Sequence, residues 1–376
     1  MSKGLEGVVA AETTLSKVYG EEGRLIYRGY AIEDLAENVS YEEVCHLLWH
    51  DDLPTRRQLA DVRKRIAEGA VVDPRIFDAI RLAPAGTHPM TTLRTAVSAL
   101  AFFDPDAEDN SAEANLRKAV RLTGQVVTLT AAIDRIRHGR EPLQPRADLS
   151  LAHNFLYMLR AEEPDDLSAR IIDVALTLHA EHGMNASTFA SRVTAGTLSD
   201  MHSAITSAIG ALKGPLHGGA NERVMRMLDQ IGEPENAEIW VRAALERGDK
   251  VMGFGHRVYR ALDPRAPILK RLAGELESRA GERKWLEISE RVQTTMRQEM
   301  EARGKKIYPN VDFFSASVYF TLGIPTDLFT NLFACARMAG WTAHVMEQHA
   351  DNRLIRPRAE YKGPSDRVVV PIDQRG

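Results

Sequence analysis

The chain has 376 residues, 44% of them hydrophobic and 27% charged, with a formal net charge of -4. That length exceeds what one hydrophobic core usually fills, so two domains with a cleft between them are expected. The charge balance gives no reason to expect a nucleic-acid partner, and two cysteines, Cys45 and Cys335, are too few for a disulfide framework or a four-cysteine zinc site.

In chain order, residues 1–10 mix Lys3 and Glu6 with a short apolar stretch and lack a signal-peptide pattern, so a cytoplasmic protein is expected. Residues 4–30 alternate like strands. Nearly everything after them has helical periodicity, as in Leu167, Ile171, Val174 and Leu178, or Val224, Leu228 and Ile231. Breaks fall at Leu53-Pro54, Ala83-Pro84-Ala85-Gly86, residues 139–145, Gly214-Pro215, residues 232–234, 323–325 and 356–364. The fold class predicted is therefore all-α. The odd glycine-rich pieces lie between two Gly/Pro breaks, which predicts a small domain over 214–322 inserted into a large helical one formed by 1–213 and 323–376.

Residues 328–346 contain one charged side chain, Arg337, among apolar and small neutral neighbours. The alanines at 334, 336, 339 and 343 and Gly340 suit close helix packing, so a buried core or interface helix is expected and no membrane span. A guanidinium there needs a partner: a substrate carboxylate or a structural ion pair.

Four segments can carry chemistry. In Lys213-Gly214-Pro215-Leu216-His217-Gly218-Gly219-Ala220-Asn221, one histidine sits in a turn just before a helix, where the helix N-terminus favours neutral imidazole. Such a ring can donate to a developing enolate oxygen, or it can be an ordinary turn histidine. In Lys250-Val251-Met252-Gly253-Phe254-Gly255-His256-Arg257, the glycines imitate a dinucleotide fingerprint, but Val258 and the lack of a βαβ unit exclude one. A flexible loop that presents backbone N–H groups and cations to an anion remains, against the blander alternative of a basic solvated loop.

Tyr308-Pro309-Asn310-Val311-Asp312-Phe313-Phe314 is a helix start with Asn310 as cap. Asp312 either complements the helix dipole or, desolvated by Val311, Phe313 and Phe314, serves as a base. His179-Ala180-Glu181-His182 is not a metal motif, and His182 extends the stripe through Leu178 as a core histidine would.

Three of these segments, with Asp263-Pro264-Arg265, resemble in order and separation the signature segments of citrate synthases. His88-Pro89-Met90, residues 179–185, Gly340-Trp341 and Arg356-Pro357-Arg358 support the match, which covers nearly the whole chain. The resemblance implies a helical homodimer whose small domain closes over acetyl-CoA, a cosubstrate, and oxaloacetate, with no permanently bound cofactor and no metal. It implies Asp312 as the base, His217 as hydrogen-bond donor to the thioester oxygen, and His256 as polariser of the oxaloacetate ketone. His182, Arg265 and Arg337, with Arg356 from the other subunit, would hold oxaloacetate; the backbone of Val251, Met252, Gly253, Phe254 and Gly255 would lie against CoA.

The chain lacks the longer N-terminal extension of the NADH-regulated hexameric branch, so NADH control is not expected. Citrate formation is favoured over 2-methylcitrate formation from propionyl-CoA, which differs by one methylene in the pocket. A non-catalytic acyl-CoA-binding dimer is the reading from another class, disfavoured because binding alone needs no base.

Overall fold

The computed structural model describes residues 3–5, 7–255, 258–281 and 283–375. Three short strands, β1 (Ser16–Tyr19), β2 (Arg24–Tyr27) and β3 (Tyr30–Ala31), form an antiparallel sheet in that order. The alternation of residues 4–30 is thus a hairpin whose inward side chains, Leu25 and Tyr27, are fully buried.

All other regular structure among the described residues is helical. The first half comprises α1 (Ile32–Asn38), α2 (Tyr41–His50), α3 (Arg56–Gly69), α4 (Pro74–Arg81), α5 (Pro89–Leu100), α6 (Ala112–Arg137), α7 (Leu151–Arg160) and α8 (Asp166–His179). The second comprises α9 (Ala186–Ala195), α10 (Met201–Leu212), α11 (Ala220–Ile231), α12 (Ala237–Glu246), α13 (Arg265–Ala280), α14 (Lys284–Ala302), α15 (Val311–Thr321) and α16 (Phe329–Ala350). Each sequence break falls between helices or after the last one. Caps fix many of the starts: Ser111 accepts from Ala114 N–H, Asp165 from Ser168 N–H and Asn310 from Asp312 N–H.

α16 is the axle. α2, α5, α6, α8, α9, α10 and α11 all pack on it, and its small residues Ala334, Ala336, Ala339 and Gly340 let them approach closely. No described helix is long and apolar enough to cross a membrane. α11 to α15 pack largely on one another, through α13 on α15, α11 on α15 and α12 on α14. They meet the rest where α13 lies on α8 and α1, and where α11 lies on α16. After α16 the chain runs exposed over residues 351–375, apart from half-buried Ile355.

One helix is shorter than its stripe. α8 ends at His179, so His182 belongs to the loop before α9 and is half-buried. The helix stops because its continuation is claimed by other elements: Gly340 N–H donates to the Ala180 carbonyl at 3.2 Å and the Tyr27 hydroxyl to the Glu181 carbonyl at 2.8 Å. His182 is therefore no core histidine of a helix, contrary to the expectation from its spacing.

Candidate active site

The site grows from the starts of two helices. Arg265 opens α13 and is buried, its guanidinium paired with Asp263 by two bonds, Nε to Oδ1 at 2.9 Å and Nη2 to Oδ2 at 2.8 Å. The same carboxylate accepts from Arg265 N–H at 3.1 Å and from Val311 N–H at 3.3 Å. Asp263 thus ties the first residue of α13 to the first residue of α15, and sets Asp312 beside Arg265.

Asp312 is half-buried, with Val311, Phe313 and Phe314 buried around it. Burial pushes its carboxyl up to about 6. Arg265 opposes that rise, Asp263 adds to it, and Arg337 and Arg223 oppose it. Near neutral pH the group is an ionised carboxylate that is more basic than a solvated aspartate.

Arg337 projects from the middle of α16. Its Nε donates to the His179 carbonyl at 2.6 Å, and the guanidinium lies 4.8 Å from the Phe333 ring centre. Burial lowers its pKa, while Glu181, Tyr27 and Asp312 counter the loss. His179 is fully buried, its Nδ1 on the Ala175 carbonyl at 2.8 Å. Burial, and then the field of Arg265, pushes it down to about 3, so it stays neutral. The His182 ring stacks edge-on against Tyr259, with centres 5.6 Å apart.

His217 lies in the turn before α11, with Nε2 facing the start of α9. The Ser187 hydroxyl is 2.8 Å from Nε2 and the Ser187 N–H donates to it at 3.3 Å. A main-chain N–H can only donate, so Nε2 is the acceptor and the ring proton sits on Nδ1. Trp341, one turn beyond Arg337 on α16, donates its Nε1–H to the Ser187 hydroxyl at 3.2 Å. The neutral imidazole expected from the helix start is fixed here by Ser187, thirty positions away in the sequence.

The glycine loop is tied rather than flexible. Gly255 N–H donates to the Tyr308 carbonyl at 3.0 Å, Asn310 N–H to the Gly253 carbonyl at 2.9 Å, and Asn310 Nδ2 to the Gly255 carbonyl at 3.0 Å. Gly253 has φ +82° and its Cβ position would fall 2.7 Å from Phe313, so only glycine fits. The loop's backbone is thereby docked on the segment that carries Asp312. Beside it lies a hollow of about 480 Å³ lined by Phe254, Ile307, Tyr308, Lys270, Arg297 and Lys306.

The structure thus brings Asp312, Arg265, Arg337 and the 251–255 loop together, with His182 and His217 on loops fastened to α16. Arg356 is not joined to them within the chain; it is exposed beyond the end of α16. His256 lies outside the described residues. Sequence reasoning missed the supports Asp263, Ser187, Tyr27 and Glu181. Of these Asp263 and Glu181 had a local signal, two residues before Arg265 and directly before His182.

A family model described as citrate synthase, C-terminal domain, matches residues 4–358. The chain belongs to the citrate synthase family. Citrate synthase 2 of Bacillus subtilis is 51% identical to it over 375 residues, spanning 100% of this chain and 99% of that one. 2-Methylcitrate synthase 2 of Corynebacterium glutamicum is 44% identical over 378 residues, spanning 99% and 97%. The solved structure of the Thermoplasma acidophilum citrate synthase, a ternary complex with carboxymethyl coenzyme A and oxaloacetate, superposes with a TM-score of 0.94 at 36% identity and covers 100% of this chain and 99% of that one.

The raised Asp312 pKa has a consequence for stability. Its folded value, about 6, lies above the ordinary 3.8, so ionising it destabilises the folded state above pH 6 and not below pH 4. Asp312→Asn is expected to raise the melting temperature at pH 7, with the gain fading as pH falls from 6 to 4. A melting temperature unchanged or lowered at pH 7 contradicts the desolvated carboxylate.

Proposed function

We propose that this member of the citrate synthase family condenses acetyl-CoA with oxaloacetate, giving citrate and free CoA. The observation that carries the reading is the carboxylate Asp312, pushed up to about 6 by burial and set beside buried Arg265 by their shared anchor Asp263, with buried Arg337 also acting on its charge. A thioester α-hydrogen is a weak acid, so the carboxylate needs help from a group that stabilises the enolate oxygen.

Asp312 takes the methyl proton, and His217, with its proton on Nδ1, donates to the thioester oxygen as charge builds there. The enolate carbon then attacks the oxaloacetate ketone, which His256 polarises. Hydrolysis of the citryl thioester releases CoA. Arg265 and Arg337 bind the oxaloacetate carboxylates with His182 beside them, since the planar guanidinium matches a carboxylate. CoA lies along the 251–255 backbone, and the neighbouring hollow with Lys270, Arg297 and Lys306 offers cations to its phosphates. No permanently bound cofactor is needed.

The segment 214–322 acts as a small domain that closes over the large one, 1–213 and 323–376. The mutual packing of α11 to α15 supports that division. Arg265 and Arg337 come from the two sides, so one dianion bridges them on closure. The protein works in the cytoplasm as a homodimer and feeds the tricarboxylic acid cycle. The outward face of α10, with Ser203, Thr206, Ser207, Gly210 and Ala211 half-buried, suits close packing against a second copy. The exposed tail beyond α16 carries Leu354, Tyr361, Val368 and Val369, which a partner can cover.

The direct test is an assay with oxaloacetate and either acetyl-CoA or propionyl-CoA. The kcat/KM is expected to favour acetyl-CoA by about 10-fold or more, the scale of one methylene in a tight pocket. A preference for propionyl-CoA moves the protein to 2-methylcitrate synthesis, and inactivity with both removes the condensation.

Arg356 completes the partner's site. Arg356→Ala subunits refolded together with Asp312→Asn subunits are expected to recover about a quarter of wild-type activity, because roughly half the dimers are mixed and each has one site without a defect. No recovery from proven mixed dimers places Arg356 outside the partner's site.

A further inference from the structure

The loop that carries His182 is fastened at every peptide around it. The His179 carbonyl accepts from Arg337 Nε at 2.6 Å and the Ala180 carbonyl from Gly340 N–H at 3.2 Å. The Tyr27 hydroxyl serves both sides of the next residue: it donates to the Glu181 carbonyl at 2.8 Å and accepts from the Glu181 N–H at 3.2 Å. On the far side of His182, Gly183 N–H donates to Glu181 Oε1 at 2.5 Å and to Ser16 Oγ at 3.1 Å. The side chain of the residue before His182 therefore holds the amide of the residue after it.

Glu181 is fully buried, and a buried carboxylate has no place unless charge or hydrogen bonds compensate it. Its Oε1 also accepts from the Ser16 hydroxyl at 2.9 Å and faces His344 Nε2 at 3.1 Å. His344, equally buried, has its Nδ1 3.0 Å from Arg192 Nη1. A guanidinium only donates, so Nδ1 is the acceptor and Nε2 carries the proton given to Glu181. Arg192 is in turn held by Glu347 at 2.6 Å and by Gln348 at 2.9 Å. Burial alone pushes the Glu181 carboxyl up, yet His344, Arg337 and Ser16 together hold it below the ordinary glutamate value. Gly340 makes room for the arrangement: a Cβ there would fall 2.4 Å from both the Ala180 carbonyl oxygen and Glu181 Oε2.

We infer that Glu181 is a positioning residue for oxaloacetate: its carboxylate, oriented by His344, spans His182 and fixes the ring in its binding place before the substrate arrives. Prepaid order of this kind lowers the cost of binding without touching the chemistry. The inference rests on the reading that His182 binds oxaloacetate. The same carboxylate supports Arg337 electrostatically, so one buried charge serves two oxaloacetate contacts.

The test compares Glu181→Gln, His344→Leu and His344→Gln with His182→Ala, measuring kcat, KM for each substrate and melting temperature. Losing a charge-assisted hydrogen bond corresponds to about tenfold or more in binding. Glu181→Gln and His344→Leu are therefore expected to raise the KM for oxaloacetate about tenfold, leaving kcat and the KM for acetyl-CoA within about twofold. His344→Gln, which can still donate to Glu181 and accept from Arg192, is expected to restore the oxaloacetate KM nearly to wild type. Equal damage to kcat and both KM values, tracking a fall in melting temperature, assigns the pair a merely structural role and overturns the inference. An unchanged oxaloacetate KM in Glu181→Gln and His344→Leu, with a raised one in His182→Ala, also overturns it while sparing the proposed function. No rise in His182→Ala refutes the oxaloacetate-binding role of His182 and, with it, the inference.

Discussion

The bidentate pair between Asp263 and Arg265 is the contact on which the site depends, because one buried carboxylate meets both a guanidinium and the first N–H of α15. Arg265 alone in that position would be an uncompensated buried cation, and Asp312 would have no fixed distance from it. Removing one partner of such a pair costs about 3–5 kcal/mol, mostly through the charge left behind. Burial lowers the pKa of an isolated guanidinium; with Asp263 beside it, Arg265 is instead held above its ordinary value. Asp263 thus compensates the cation, and Asp312 stays beside it as an ionisable carboxyl rather than as its structural counter-ion.

The second constraint is neutrality of the histidines. Burial keeps His179 from taking a proton, and the field of Arg265 and Arg337 reinforces that. His217 reaches the same state through geometry, since the Ser187 N–H occupies the nitrogen that a second proton would need. Neutral imidazoles add no cation that would lower the basicity of Asp312. Asp312, pushed up to about 6 by burial, titrates close to neutral pH beside them.

Much of this was legible in the chain. Asn310 caps α15 as its position before an apolar run implied, and the small residues of residues 328–346 form a buried helix. The breaks at glycine and proline also fall where helices end. The stripe through Leu178 misled for His182, because periodicity cannot register that Tyr27 and Gly340 claim the carbonyls beyond His179. Ser187 with His217, Glu181 with His344, and the glycine loop with residues 308–310 are joined across long sequence separations. Such contacts are set by tertiary packing, and no local pattern encodes them. Asp263 was visible as a residue, but its double duty needed the α13 and α15 starts side by side.

The proposed role of Asp312 is to remove a methyl proton from acetyl-CoA while the arginines only bind. It is tested most directly by proton exchange in heavy water, with acetyl-CoA and a four-carbon dicarboxylate that lacks the ketone and cannot condense. The wild-type protein is expected to wash deuterium into the methyl group, as read by mass spectrometry. Asp312→Asn is expected to lose that exchange while calorimetry shows oxaloacetate binding within a few-fold of wild type. Exchange at the wild-type rate in Asp312→Asn would contradict the account, because the proton would then have another acceptor.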